Sequence, residues 1–158
     1  MRMLILGLDH AIQKIPGNFP NPRKDRYEGL VKQLVKNRTV EFIGEEAYPN
    51  WRTIAKRIAG SLNGVHWEAI EMSLEQRDAL GITEDQNSRP SDNVRVLSDP
   101  IREAYMVWRA IMKAGAVQSS MILCGRLHTE ELGERFRKAG HDVRTDDLLK
   151  YGWYRESK

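Results

Sequence analysis

Two histidines stand at matching places in the chain. His10 closes Gly7-Leu8-Asp9-His10 and His128 closes Gly125-Arg126-Leu127-His128, each three residues past a glycine that follows an apolar run. An imidazole titrates near neutral pH and can pass a proton or ligate a metal. Glu45 and Glu46 follow Gly44 after another apolar run. One carboxylate beside two imidazoles would make the two-histidine, one-carboxylate ligand set of zinc hydrolases, or it would act as general base toward water. Asp9 and Gln13 flank His10, and a carboxylate beside a working histidine commonly orients it, or Asp9 only caps a turn. Arg102 falls in the first turn of an expected helix, an end whose dipole favours anions. A cation there would steady negative charge developing on a substrate oxygen, or pair with a nearby carboxylate such as its neighbour Glu103.

Other residues read as structural. His66 and His141 have no such echo, and the lone Cys124 at the end of an apolar run is a small core residue. The sequence holds no phosphate-binding P-loop, no dinucleotide fingerprint, no Gly-x-Ser-x-Gly elbow and no Cys-x-x-Cys pair.

The elements that must position these residues are legible as patterns. Met3–Leu6 is an apolar run suited to a strand buried on both faces. Residues 15–22, with three prolines, read as loop. A helix is expected from about Arg23 to Asn37, with Tyr27, Leu30, Val31, Leu34 and Val35 on one face. Val40–Ile43 is a second strand. Asn50 caps a short helix burying Ile54, Ala55, Ile58 and Ala59. Val65–Ile70 is a third strand, and Met72–Leu80 forms one or two helical turns. The polar stretch Thr83–Asn93 reads as a mobile loop. Asp99 as N-cap and Pro100 as first helical residue open a helix with Ile101, Tyr105, Trp108 and Met112 facing inward. Met121–Cys124 is a further buried strand. Thr129 caps a helix with Leu132, Phe136 and Ala139 inward, and His141–Arg144 is an edge strand. Trp153 and Tyr154 dock the tail.

Strands alternating with helices predict a small three-layer α/β domain, its sheet largely parallel or mixed, with helices on both faces. Ligands of such sheets sit beyond the carboxyl ends of the strands. His10, one of Glu45 and Glu46, and His128 should therefore lie within about 10 Å of one another.

Composition bounds the function. The 158 residues suit one domain spanning the whole sequence, and 30% charged with 41% hydrophobic is a globular balance. The net charge of +3 mixes 25 basic with 22 acidic residues, and no basic run interleaves with aromatics, so nucleic acid is not an expected partner. One cysteine allows no internal disulfide. No signal-peptide core and no apolar run long enough to span a membrane is visible, and the expected location is the cytoplasm.

The segments GLDH (Gly7–His10), GEE (Gly44–Glu46), REAYM (Arg102–Met106) and GRLH (Gly125–His128) together resemble the TraB/TIKI superfamily, with its ChaN-like and erythromycin-esterase-like groups. The resemblance implies an α/β fold. It matches His10 and His128 to the two motif histidines, Glu45 or Glu46 to the acidic position and Arg102 to the motif arginine. Some members are hydrolases, among them metal-dependent proteases and an esterase working with His and Glu. This chain is shorter than typical members and lacks the histidine that follows the Glu of the ChaN-like group. The expected function is thus a hydrolase of a small-molecule or peptide substrate. In it, His10 and His128 hold a divalent metal with a Glu, or with that Glu activate water directly, and Arg102 steadies the oxyanion. The competing expectation is a non-catalytic ligand-binding or regulatory module. A third is a partner-binding protein using the Thr83–Asn93 loop. The sequence leaves the oligomeric state open.

Overall fold

A computed structural model describes residues 1–17, 20–83 and 94–155. Among them, five strands form one sheet: β1 (Arg2–Leu8), β2 (Phe42–Glu45), β3 (His66–Ala69), β4 (Ser119–Gly125) and β5 (Asp142–Asp147). Their order is β3-β2-β4-β1-β5, and every pairing is parallel. The parallel form of the expectation therefore holds throughout. The central β1 and β4 are apolar and buried, whereas the edge strand β5 is polar and partly exposed.

Alternate residues of the strands feed two cores. Leu4, Leu6, Leu8, Ile43, Met121 and Leu123 face α2 (Pro22–Arg38) and α3 (Ile54–Ser61). Met3, Ile5, Phe42, Ile122 and Cys124 face the other way. There they meet α5 (Asp99–Ala114) and α6 (Thr129–Lys138), following the short α4 (Leu74–Ala79) in the chain. The result is three layers. A one-turn helix α1 (His10–Gln13) follows β1, and α7 (Gly152–Arg155) brings Tyr154, with Trp153 beside it, onto the α2 side as expected. The chain leaves β1 toward α2 on one face and leaves its neighbour β4 toward α6 on the other. That divergence marks the place, at the carboxyl ends of adjacent strands, where sheets of this kind hold their ligands. No helix among the described residues is long and apolar enough to cross a membrane.

Several local expectations need correction. Gly7 and Gly44 lie inside strands, and Gly125 is the last residue of β4. These glycines do not turn the chain; they let neighbours approach. A Cβ on Gly44 would stand 2.9 Å from Ile122 Cδ1, and one on Gly7 would collide with the Thr129 hydroxyl. Thr53, not Asn50, caps α3, because its side chain accepts from Lys56 N. Ser98 occupies the cap position of α5, so Asp99 is the first helical residue and Pro100 the second. Thr129 likewise begins α6 from within, since the 3₁₀ turn Arg126–His128 runs straight into it, and Ala139 is exposed. Of the expected Thr83–Asn93 loop, residues 84–93 lie outside the described residues.

The largest correction concerns α5. Its buried face carries Asp99, Arg102, Glu103, Met106, Ala110 and Ala114, while Ile101, Trp108 and Met112 are exposed. Arg102 and Glu103 find carboxylate and imidazole partners at the strand ends. Paired charges turn that face inward, and the apolar stripe is left outside. Met106→Ala should therefore cost about 2–5 kcal/mol of folding stability, whereas Trp108→Gln should shift it by no more than about 0.5 kcal/mol. Urea denaturation of both variants measures the contrast, and equal losses would contradict this orientation.

Candidate active site

Glu46 stands at the centre of this carboxyl edge, bonded to Arg102 and Gly125 and facing His10 and His128. It directly follows β2, and its main-chain N–H donates to Leu123 O of β4 at 2.8 Å. Its side chain is buried. Oε2 accepts from Gly125 N at 2.7 Å. Oε1 accepts from Arg102 Nη2 at 3.0 Å and faces two imidazole edges, His128 Nε2 at 3.5 Å and His10 Nε2 at 3.6 Å. Burial alone would raise the pKa of this carboxyl. The charges of His10, His128 and Arg102 and the Gly125 N–H outweigh it and hold the group below its ordinary value. Glu46 is therefore an ionised carboxylate in a dry setting. A Cβ on Gly125 would sit 3.0 Å from His10 Nε2 and 3.3 Å from Glu46 Oε2, so the bare backbone there makes room for both.

The two histidines reach this oxygen from the ends of different strands, β1 and β4. His10 opens α1 and is 46% exposed. Its Nδ1 lies 2.8 Å from Gln13 Oε1. Gln13 is buried, and its Nε2 donates to Glu46 O at 3.5 Å. With the amide nitrogen committed to a carbonyl, the amide oxygen faces His10, and Nδ1 carries the proton. His128 is buried in the 3₁₀ turn after β4, its Nδ1 2.7 Å from Glu103 Oε1. The sequence expectation that His10, one glutamate and His128 converge at the carboxyl edge is met by Glu46.

Glu45 points elsewhere. Consecutive strand residues project to opposite faces, and Glu45 Oε2 accepts from Thr53 Oγ1 at 2.6 Å and Trp67 Nε1 at 2.7 Å. Its Oε1 is buried and meets no partner among the described residues. Gln13 bears on its charge without reaching hydrogen-bond geometry. Burial pushes its pKa up to about 7, against the hydrogen bonds from Thr53 and Trp67. The nearby Tyr27 hydroxyl, also buried and unpartnered among the described residues, is pushed well up by burial and by Glu45.

Arg102 is where the sequence placed it, in the first turn of α5, with each of its three nitrogens engaged. Nε donates to Glu71 Oε1 at 3.3 Å, Nη1 to Asp99 Oδ1 at 3.3 Å, and Nη2 to Glu46 and to Glu71 Oε2. Burial works against its charge, and Glu71, Glu46 and Asp99 overcome that penalty and raise its pKa. Sequence reasoning missed Glu71, Arg95 and Arg77, and it paired Glu103 with its neighbour Arg102, whereas Glu103 is buried against Arg95 and His128. Arg77 Nη2 lies 3.1 Å from Glu71 Oε1, and Arg95 grips Glu103 through two hydrogen bonds of 2.7 and 2.8 Å. Arg102 and Glu103, adjacent polar residues in a helical first turn, were the only signal of this network. Among the described residues, no group of three His, Cys, Asp or Glu side chains is arranged to hold a metal ion, and Arg102 already occupies the oxygen that both imidazoles face. The Cys124 thiol is pushed well up by burial and is an inert core group.

The chain matches no family model, no curated protein and no solved structure.

Glu45 gives this site an unusual pH signature. Its folded pKa of about 7 exceeds the unfolded value, so the folded state binds more protons between the two. The Glu45 contribution is then most favourable below about pH 4, is lost as pH rises toward 7, and is level above that. Glu45→Gln should gain stability relative to the unmutated protein between pH 5 and pH 8, by up to the order of 3 kcal/mol. Denaturation curves of both proteins at the two pH values test this, and a constant difference between them would refute it.

Proposed function

We propose that this protein is a hydrolase whose working groups are His10, Glu46 and His128. The observation that carries the reading is the convergence of two imidazole edges on one ionised, buried carboxylate oxygen. His10 is the exposed member, and Gln13 leaves its Nε2 as the edge that can take a proton from water attacking a small-molecule or peptide substrate. Glu46 Oε1 then faces the imidazolium so formed and stabilises it. His128 Nε2, 3.5 Å from the same oxygen, is a second edge for proton exchange. The resemblance of the GLDH, GEE and GRLH segments to the TraB/TIKI superfamily, which includes hydrolases, agrees with this reading.

Two expected roles change within it. Arg102 gives every nitrogen to a carboxylate of the protein, so its part is to keep Glu46 ionised and in place instead of receiving a substrate oxyanion. Glu45, turned to Thr53 and Trp67, takes no part in proton transfer. The reading also needs no metal, because a charged base and a proton-accepting imidazole suffice for water activation.

One observation favours a ligand-binding module without turnover: Glu46 and Arg102 satisfy each other, and Glu103 is satisfied by Arg95 and His128, leaving few donors for a reacting oxygen. The two readings separate in one assay. On a panel of activated esters and peptides, His10→Gln and Glu46→Gln should each lower turnover roughly 100- to 10,000-fold with the fold retained, and Glu45→Gln should spare it. An unmutated protein that is inactive on the whole panel, yet raised in melting temperature by small metabolites, would establish the binding module.

A further inference from the structure

We propose that Glu103, clamped by Arg95, is a positioning residue that keeps a proton on Nδ1 of His128 in every charge state of the ring, so that His128 exchanges protons only through the Nε2 edge facing Glu46. For its effect on turnover this rests on the hydrolase reading; for the state of the ring it does not.

The geometry starts from α5. Arg102 and Glu103 are consecutive, hence about 100° apart around the helix. Arg102 reaches Glu46 and Glu71 beyond β2 and β3, while Glu103 reaches His128 beyond β4. One helical turn therefore holds the carboxylate and one of its imidazoles in a fixed relation. Glu103 is fully buried. Its Oε1 meets His128 Nδ1 at 2.7 Å and Arg95 Nη1 at 2.7 Å, and Oε2 meets Arg95 Nη2 at 2.8 Å. Burial opposes its ionisation, and the hydrogen bonds from His128 and Arg95 reverse that and hold its pKa below the ordinary value. An ionised carboxylate only accepts, so Nδ1 must donate.

Arg95 adds a second constraint. Its Nη1 also donates to Leu127 O at 3.2 Å, the carbonyl just before His128. The same guanidinium thus fixes the carboxylate and the main chain that carries the ring. Its planar fork, which a lysine lacks, is what lets it hold both carboxylate oxygens.

The test uses the full chain labelled with ¹⁵N-histidine, with the His128 signals assigned by their loss in His128→Gln. Long-range ¹H–¹⁵N spectra report which ring nitrogen carries the proton. The expected result is a protonated, hydrogen-bonded Nδ1 in the unmutated protein and in Glu103→Asp. In Glu103→Gln, whose amide N–H can face the ring, the proton should move to Nε2. Alongside, Glu103→Gln should lower kcat on a panel substrate about 10²- to 10⁴-fold with KM little changed. A bare Nδ1 with the proton on Nε2 in the unmutated protein overturns the proposal, and this needs no variant to fold. So does a Glu103→Gln protein of lower melting temperature whose ring keeps its proton on Nδ1, which would make Glu103 merely structural. Absence of turnover in the unmutated protein would remove the hydrolase reading while the spectra still decide the role of Glu103.

Discussion

The burial of one carboxylate, Glu46, organises this molecule. Moving an isolated carboxylate out of water costs several kcal/mol, and the interior must return that through well-placed donors and opposite charge. Here the compensation comes from three elements distant in sequence: the Gly125 N–H at the end of β4, Arg102 at the start of α5, and the imidazoles that follow β1 and β4. Arg102 needs further carboxylates of its own, which Glu71 and Asp99 supply. Satisfying one ion in this way recruits the ends of β1 to β4 and fixes the rotation of α5. Polar matching, and not apolar area alone, sets how that helix lies on the sheet.

The two adjacent glutamates show how finely environment divides like groups. Glu45 and Glu46 are both buried, yet one sits near pKa 7 and the other below the ordinary value. The difference is the kind of neighbour. Glu45 meets neutral donors, Thr53 and Trp67, which offset its desolvation only in part. Glu46 meets cationic groups, which reverse it.

Much of the architecture was readable in the sequence because it rests on local periodicity. The apolar runs marked β1, β2 and β4, and the alternation of strand and helix predicted a largely parallel or mixed sheet covered on both faces. The repeated Gly-x-x-His pattern placed His10 and His128 at one edge, and the Glu pair placed a carboxylate between them. What stayed hidden depended on pairing at long range. Periodicity assigned the Ile101–Trp108–Met112 stripe of α5 to the core, because it scores apolar residues and cannot know that Arg102 will meet Glu46 and Glu71 across the fold. Which glutamate faced the histidines depended on where β2 ended: two residues beyond Ile43, at Glu45. The orienting partners Gln13 and Arg95 lie in no motif, and the segment that holds Glu103 does not say which imidazole it will meet, since any residue whose side chain reaches the same point could serve.

The strand glycines have a consequence for how such a site can change over generations. At Gly7, Gly44 and Gly125 the space that a side chain would fill is already taken by Thr129, by Ile122 and Ile70, or by His10 and Glu46. At Gly125 the backing of the site is therefore bare main chain, while Gly7 and Gly44 keep close contacts inside the fold, and single substitutions cannot readily reshape either. Variation has freer access to the residues that arrive from above, on α1, the chain before α5 and the turn after β4. A lineage built on this sheet would keep its carboxylate platform nearly invariant and explore new chemistry in the groups suspended over it.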